Sequence, residues 1–440
     1  MIQSWDFDVA VVGGGPAGAA AASVLARSDR RVLVLERERF PRFHIGESQV
    51  PWIHEVLARI GVDKAVAAAG FVEKWGASFT SADSEADQYA DFSQAFEVPN
   101  PQAFQVPRAV FDQILLEHAV NCGAVVLQER TAIAAVFDDD GVALTYADAG
   151  GETRVTVGAI IDASGRAGFL AKRFGERHRD PVLQNIAVHR QYEGVPRREG
   201  RRAGDIQMVT RPDKGWFWFI PIDATTMSVG VVVPQSVYKA AAQPTPEETL
   251  SHFLAETPAA AQLVASAMPI SPARFDADYS YLHSRHAGDR FVLVGDAGAF
   301  LDPIFSTGVL LALQSGIEAA EVIAAGLRDG DLRGRRFADY ERRLVRRYHH
   351  FRRFAVGFYN PAFRDLFFSA SSRFGIYGAV LSVLSGNWRP SWKTRLRLSA
   401  FFFLVALQRF IPLAPHQQRP VPLRPAPTPD QPMRARTTRP

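Results

Sequence analysis

Asp8-Val-Ala-Val-Val12 has the make-up of a buried strand, Gly13-Gly-Gly-Pro-Ala-Gly18 that of a tight turn, and Ala19 to Ala26 that of a helix. Arg31 to Glu36 follows as a second strand ending in an acid. In that order these residues can hold a dinucleotide. Gly13 permits the turn, Gly15 lets backbone N–H groups approach a pyrophosphate, Gly18 lets helix and strand pack closely with Ala17 beside it, and Glu36 can accept hydrogen bonds from an adenosine ribose. A glycine pattern alone is weak evidence, but strand, turn, helix, strand and acid in succession are specific. No second copy follows. One tightly held dinucleotide is therefore expected, FAD rather than NAD, with no separate nicotinamide domain.

Other residues are spaced to serve such a cofactor. Ile45-Gly-Glu-Ser48 is a turn on the approach to a flavin ring, and Ser48 can also cap a helix over Pro51 to Ile60. Arg108 heads a helix through Ala119 and can reach a phosphate or a flavin oxygen, or simply face solvent. Asp162-Ala-Ser-Gly165 and Gly295-Asp296 end buried strands, and Asp296 is placed for ribityl hydroxyls. Ser306-Thr-Gly-Val309 opens a helix running through Gly326, so Thr307 and Gly308 offer unpaired N–H groups at a positive dipole end. Such an end can stabilise an anionic reduced flavin or hold a small anion. Lys74 lies in Gly70 to Phe79, read as one strand with Lys74, Gly76 and Ser78 on one face and Trp75, Ala77 and Phe79 on the other. In Lys214 to Ile222 the alternation puts Trp216, Trp218 and Ile220 on one face, followed by Pro221, as an aromatic wall or as plain core packing.

The elements that must position these residues define an α/β fold with an α+β insertion. Dinucleotide-binding stretches are expected at 1–80, 106–172 and 276–330, with an excursion at 81–105 into a substrate domain. A mostly antiparallel sheet on the substrate side is expected at 173–275, a helical C-terminal region at 331–411, and a disordered Pro/Arg-rich tail at 412–440. Leu398 to Leu407 is apolar but short of the ~20 residues that a membrane span needs, so no transmembrane segment is expected.

The 440 residues, 47% apolar and 22% charged, suffice for two or three domains with ample core. Cys122 is the only cysteine, which excludes a disulfide framework, a CxxC pair or a cysteine metal cluster and fits a reducing cytoplasm. Met1 to Phe7 lacks the regions of a signal peptide. No metal site is expected. Net charge of +4 hides an asymmetry, since residues 331–440 carry 21 Lys and Arg against 5 Asp and Glu, net +16, leaving the rest at 29 against 41, net −12. The basic part can face an acidic partner, a membrane surface or only solvent. Nucleic acid is not expected, because no reader motif accompanies the charge.

Taken together, Gly13 to Gly18, Asp162 to Gly165 and Gly295-Asp296 resemble the flavoprotein class that includes aromatic hydroxylases, geranylgeranyl reductases and flavin-dependent halogenases. Trp216-Phe-Trp-Phe-Ile-Pro221 and Lys74-Trp-Gly76 resemble the WxWxIP and KxG signatures of the halogenases. The resemblance implies FAD used as FADH2, delivered by a separate NAD(P)H-dependent flavin reductase. With O2 and chloride or bromide it would yield hypohalous acid that halogenates a small aromatic substrate. It also implies halide at the backbone of Thr307 and Gly308, Lys74 as the catalytic lysine acting on the oxidant, and Trp216, Trp218, Ile220 and Pro221 as a shield that keeps substrate off the flavin. Tryptophan halogenases have a glutamate just before Ser-Thr-Gly, where this chain has Phe305. That departure resembles the branch acting on phenols and pyrroles, free or carried on an acyl or peptidyl carrier protein. Arg342, Arg343, Arg346 and Arg347 would then offer a docking face for an acidic carrier, or would simply solvate one face or pair with the acidic body of the chain. The alternatives are a flavin monooxygenase or prenyl reductase, weakened by Lys74-Trp-Gly76, and a non-catalytic flavin-binding protein.

Overall fold

A computed structural model describes residues 5–81, 87–277, 280–369 and 375–415. Aliphatic residues fill Phe7–Val12, Val32–Glu36 and the second half of Gly151–Asp162, and these runs form the middle of an eight-stranded sheet. Continuous burial is what a parallel strand covered on both faces requires. Across the sheet stand Ala287–Gly288, Phe291–Leu293, Gly151–Asp162, Phe7–Val12, Val32–Glu36 and Val125–Gln128, parallel from the second strand to the last. Val142–Asp148 and Thr131–Phe137 extend it by antiparallel pairing.

Two helices, Pro16–Ala26 and Gly308–Asp329, cross over this sheet. Their contact is close because Gly316 has no side chain: a Cβ there would lie 2.2 Å from the Ala17 carbonyl oxygen. Among the described residues Gly308–Asp329 is the one helix long and apolar enough to cross a membrane, and two thirds of its apolar window is buried inside the protein. It is therefore a core helix.

A second eight-stranded sheet is built around Asn185–Glu193, Thr226–Pro234, Trp216–Pro221 and Ile206–Thr210, antiparallel to one another. Gly76–Ser81 joins it in parallel with Ile206–Thr210, and Asp87–Asp91 pairs with Gly76–Ser81. The expected single strand over 70–79 is thus two strands in different sheets, since Val72–Lys74 pairs with Ala103–Gln105. The physical cause is Asp205, whose Oδ1 accepts from the Trp75 N–H at 2.6 Å and the Gly76 N–H at 2.9 Å and so fixes the bend between them. Lys74 and Gly76 consequently do not share a strand face, and the second sheet begins at Gly76, inside the stretch 1–80 assigned to the dinucleotide unit.

Ala338–Phe358, Pro361–Ser369, Ile376–Leu384 and Trp392–Gln408 form the C-terminal helical region. Phe351, Phe354, Phe358, Phe363 and Phe401 share one apolar core with Trp216, Trp218 and Ile220. Of the four arginines expected to form a docking face on Ala338–Phe358, Arg342 and Arg346 are exposed and Arg343 half-buried, but Arg347 is not at the surface. Arg347 points inward to a buried ion pair with Glu318, Arg343 lies 3.6 Å from the same carboxylate, and Arg342 pairs with Asp339. The disordered tail expected over 412–440 lies outside the described residues from 416 onward.

Candidate active site

Where the two sheets meet, the chain encloses a cavity of about 660 Å³. Gly13, Gly15, Ala17 and Glu36 line one part of it, Ser48, Arg108 and Asp296 another, and Gly308, Val309, Trp216, Trp218 and Ile220 a third. Gly18, Lys74, Pro221 and Thr307 are not among its lining residues.

The glycine turn has the geometry its sequence implies. Gly13 adopts φ +107° with a hypothetical Cβ 2.2 Å from the Ala163 carbonyl oxygen, which closes the turn onto the end of Gly151–Asp162. Gly18 packs rather than lines: a Cβ there would sit 1.9 Å from the Gly13 oxygen. Gly15 is different. It precedes helix Pro16–Ala26, and the nearest atom to an added Cβ is the Arg42 Nη2 at 3.5 Å, so its open side faces the cavity. Glu36 accepts from the Gly14 N–H at 2.7 Å and the Glu38 N–H at 2.9 Å, which fixes its carboxylate at the strand end while leaving further lone pairs.

Arg108 is buried and held by a fork on Asp112, at 2.7 and 2.8 Å, and by the Ile45 carbonyl at 2.7 Å. Asp112 also binds Arg42 at 3.1 Å, so one carboxylate carries two guanidinium groups at the cavity edge. Asp296 faces the cavity with its carboxyl raised by desolvation to about 6. At the head of Gly308–Asp329, Ser306 takes φ +55° and Thr307 is the N-cap residue, 2% exposed. An added Cβ on Gly308 would meet nothing within 4 Å. The first N–H groups of that helix have no partner four residues back, so they form a positive end beside open space.

Trp216 and Trp218 stand with ring centroids 6.0 Å apart at 50°. Each indole N–H is tied down: Trp216 donates to the Tyr359 hydroxyl at 2.9 Å and Trp218 to the Ser228 hydroxyl at 3.2 Å. Tyr359 in turn donates to Asp302, which also accepts from the Asn185 amide at 2.8 Å and the Ile304 N–H at 3.0 Å. The wall is therefore both core packing and cavity surface, and it is braced by the C-terminal region. Phe305 packs edge-on against Phe358 of that region, ring centroids 5.8 Å apart.

Lys74 is 2% exposed and stands behind Ser48. Its Nζ donates to the Ser48 Oγ at 2.8 Å and to the Gln49 carbonyl at 2.8 Å, and lies 5.4 Å from the centre of the Phe92 ring. Burial pulls its pKa from 10.5 down to about 7, against a smaller upward pull from Asp205. Ser48 does not cap the next helix. Ile53–Ile60 has Trp52 at its N-cap and no side-chain cap, since the helix begins later than expected and leaves Ser48 four residues before the N-cap position, where its hydroxyl accepts from the lysine instead.

Sequence reasoning missed Arg42, Gln49, Asp205, Asp302, Tyr359 and Glu47. Glu47 had a visible signal, since it lies inside the quoted Gly46-Glu-Ser48 turn. It lines the cavity, and burial raises its carboxyl to about 7. The others act through contacts between residues far apart in the chain and leave no local pattern.

An open pyrophosphate position, a ribose acceptor and two helix starts aimed at one cavity fit an FAD, and they define a flavoprotein of the FAD-dependent class. A family model described as an FAD binding domain matches residues 6–350. A 1H-pyrrole-2-carbonyl-[peptidyl-carrier protein] chlorinase of Pseudomonas fluorescens is 35% identical over 363 residues, covering 76% of this chain and 80% of that protein. A flavin-dependent halogenase of Armillaria mellea is 35% identical over 370 residues, covering 75% and 68%. Among solved structures, the myxobacterial chondrochloren halogenase superposes with a TM-score of 0.75 at 34% identity, covering 80% of this chain and 82% of that one. The chain belongs to the flavin-dependent halogenases, enzymes that are oxidoreductases.

Proposed function

We propose that this enzyme halogenates an electron-rich aromatic ring, a phenol or a pyrrole, and that Lys74 handles the oxidant. The carrying observation is the setting of Lys74: a buried amine, pulled down to about 7, one hydrogen bond behind a serine of the cofactor cavity. Gly13, Gly15, Glu36, Arg108 and Asp296 would hold FAD in that cavity, reduced by a separate NAD(P)H-dependent flavin reductase, and its chemistry there would be the reduction of O2 with oxidation of a halide to hypohalous acid. The chain does the rest. The backbone N–H groups of Thr307 and Gly308 hold chloride or bromide at the helix start, where Gly308 opens to the cavity, and Trp216, Trp218 and Ile220, with Pro221 closing their strand behind them, keep the ring away from the flavin.

A neutral amine has two N–H donors and one lone pair. Ser48 and Gln49 offer acceptors for both donors, which leaves the lone pair free to take the halogen. An N–H bond of Lys74 then breaks, an N–halogen bond forms, and water leaves. Attack by the ring carbon transfers the halogen, and the displaced ring proton restores the amine.

Phe305 in place of a glutamate supports a phenol or pyrrole over free tryptophan, and the relative that acts on a carrier-bound pyrrole supports a tethered substrate. A single cysteine, Cys122, suits a reducing cytoplasm. The test is product mass with bromide and an added reductase, using a phenol, a pyrrole-2-carboxylate, its carrier thioester and tryptophan. Bromination of a phenol or pyrrole substrate, lost in Lys74→Ala with FAD retained, is expected. Hydroxylated or reduced product without bromine would return the enzyme to the monooxygenase or reductase reading, and preference for tryptophan would remove the role given to Phe305.

A further inference from the structure

We propose that the outer face of helix Trp392–Gln408 seats the enzyme on an anionic lipid surface. The helix is apolar on two sides. Thr394, Leu398, Phe401 and Val405 face inward and are buried, the last three in the aromatic core. On the outside, Trp392 is 70%, Leu396 64% and Phe403 68% exposed, four and seven residues apart and hence on one face. The ridge continues past the helix end through Phe410 at 84%, Ile411 and Leu413. Elsewhere among the described residues the exposed large apolar side chains, which are Phe43, Met268 and Phe275 beside several valines and isoleucines, are spread over different elements and build no comparable row along one helix.

Charge decides among the occupants of such a ridge. Arg389, Lys393, Arg395, Arg397 and Arg409 surround it, and no acidic residue occurs from Trp388 to Pro415. The sequence beyond adds Arg419, Arg424, Arg434, Arg436 and Arg439 against Asp430. A second copy of the chain, docked two-fold on this face, would set cations against cations. A folded protein partner would need pockets for aromatic side chains strung along one line. Bulky apolar side chains in a row, flanked by five cations and by one carboxylate, Glu97, which the helix start binds through Ser391 and Thr394, suit the boundary between acidic headgroups and acyl chains. The contact is peripheral, since 17 helical residues with this much charge cannot span a bilayer.

The experiment is co-sedimentation of the FAD-loaded full chain with vesicles of phosphatidylcholine alone and of phosphatidylcholine with phosphatidylglycerol. Preference for the anionic vesicles of about tenfold or more, weakened by high salt, is expected from several basic side chains acting together. The variant carrying Trp392→Ser, Phe403→Ser and Phe410→Ser should lose that binding while keeping its FAD and its activity on a soluble substrate, because these side chains touch neither cavity nor core. Arg395→Glu with Arg409→Glu should lose it too while leaving the apolar ridge intact. Equal sedimentation with both vesicle types, or full binding by the triple variant, would overturn the proposal. So would a solution dimer, or a complex with an acidic carrier protein, that depends on the ridge when anionic vesicles are not bound.

Discussion

Lys74 illustrates how one buried group couples chemistry to stability. A base whose pKa falls on folding carries a full penalty at pH values below the folded one, and the penalty disappears as pH rises to the unfolded one. For Lys74 that window runs from about 7 to 10.5. Halogenation limited by the free amine should accordingly climb through pH 7 and level off above it, which initial rates at saturating reduced flavin will check. Lys74→Met should abolish product, and its stability relative to the parent should be greatest near pH 6 and decline toward pH 10 by on the order of a few kcal/mol. Denaturant melts at several pH values measure this. Gly15→Val makes the complementary cut. The backbone there is ordinary, φ −66°, so the chain should fold, but the side chain enters the pyrophosphate space and the protein should purify without flavin colour. Both residues were legible from sequence because each belongs to a short motif with a chemical reason for its spacing. Asp205, which bends the chain beside Lys74, was not: its partners are 129 and 130 positions away, and an aspartate in a loop has no local signature.

At the scale of elements, alternation along Trp216–Pro221 was enough to find the wall but not what braces it. Phe217 and Phe219, on the other side of the strand, belong to a separate core, so both faces are buried and the alternation separates two apolar surfaces. The brace comes from Tyr359, just past Ala338–Phe358, which accepts from Trp216 and donates to Asp302 next to the loop that leads to Thr307. Tyr359→Phe removes both bonds and leaves the indole N–H and a buried carboxylate short of a partner, at a cost of about 1–3 kcal/mol. The expected result is a modest loss of stability and a larger loss of coupling, with more O2 consumed per halogenated product. Unchanged coupling would mean that packing alone holds Trp216. The break between Val72–Lys74 and Gly76–Ser81 leaves no mark in the sequence for a related reason, since a period of two continues through Trp75 whether or not the chain changes sheets there.

For the whole molecule, the strands and motifs of the dinucleotide unit could be placed along the chain from sequence because strand, turn and helix signals recur there, while their order across the sheet could not. Strand pairing in the second sheet could not, and neither could the pairing of Arg347 with Glu318, which removes a cation from the face that charge counting had assigned to docking. One dinucleotide unit leads to a further expectation. Purified enzyme with FAD should oxidise NADH negligibly until a flavin reductase is added, as followed by absorbance under air. Rapid unaided oxidation would require a nicotinamide site that the cavity has not been assigned.

The aromatic core shared by Trp216, Phe358, Phe363 and Phe401 also orders events during synthesis. Every residue of the nucleotide turn leaves the ribosome early, whereas the packing behind the tryptophans is made by the last helices translated. A nascent chain can therefore acquire its cofactor before it has a finished barrier, and oxidant made in that interval would be released instead of delivered. Chains interrupted before residue 338 should be the leaky ones, binding flavin yet discharging hypohalite or peroxide into their surroundings. Completion of the C-terminal helices is, on this view, the step that makes the enzyme safe to its host.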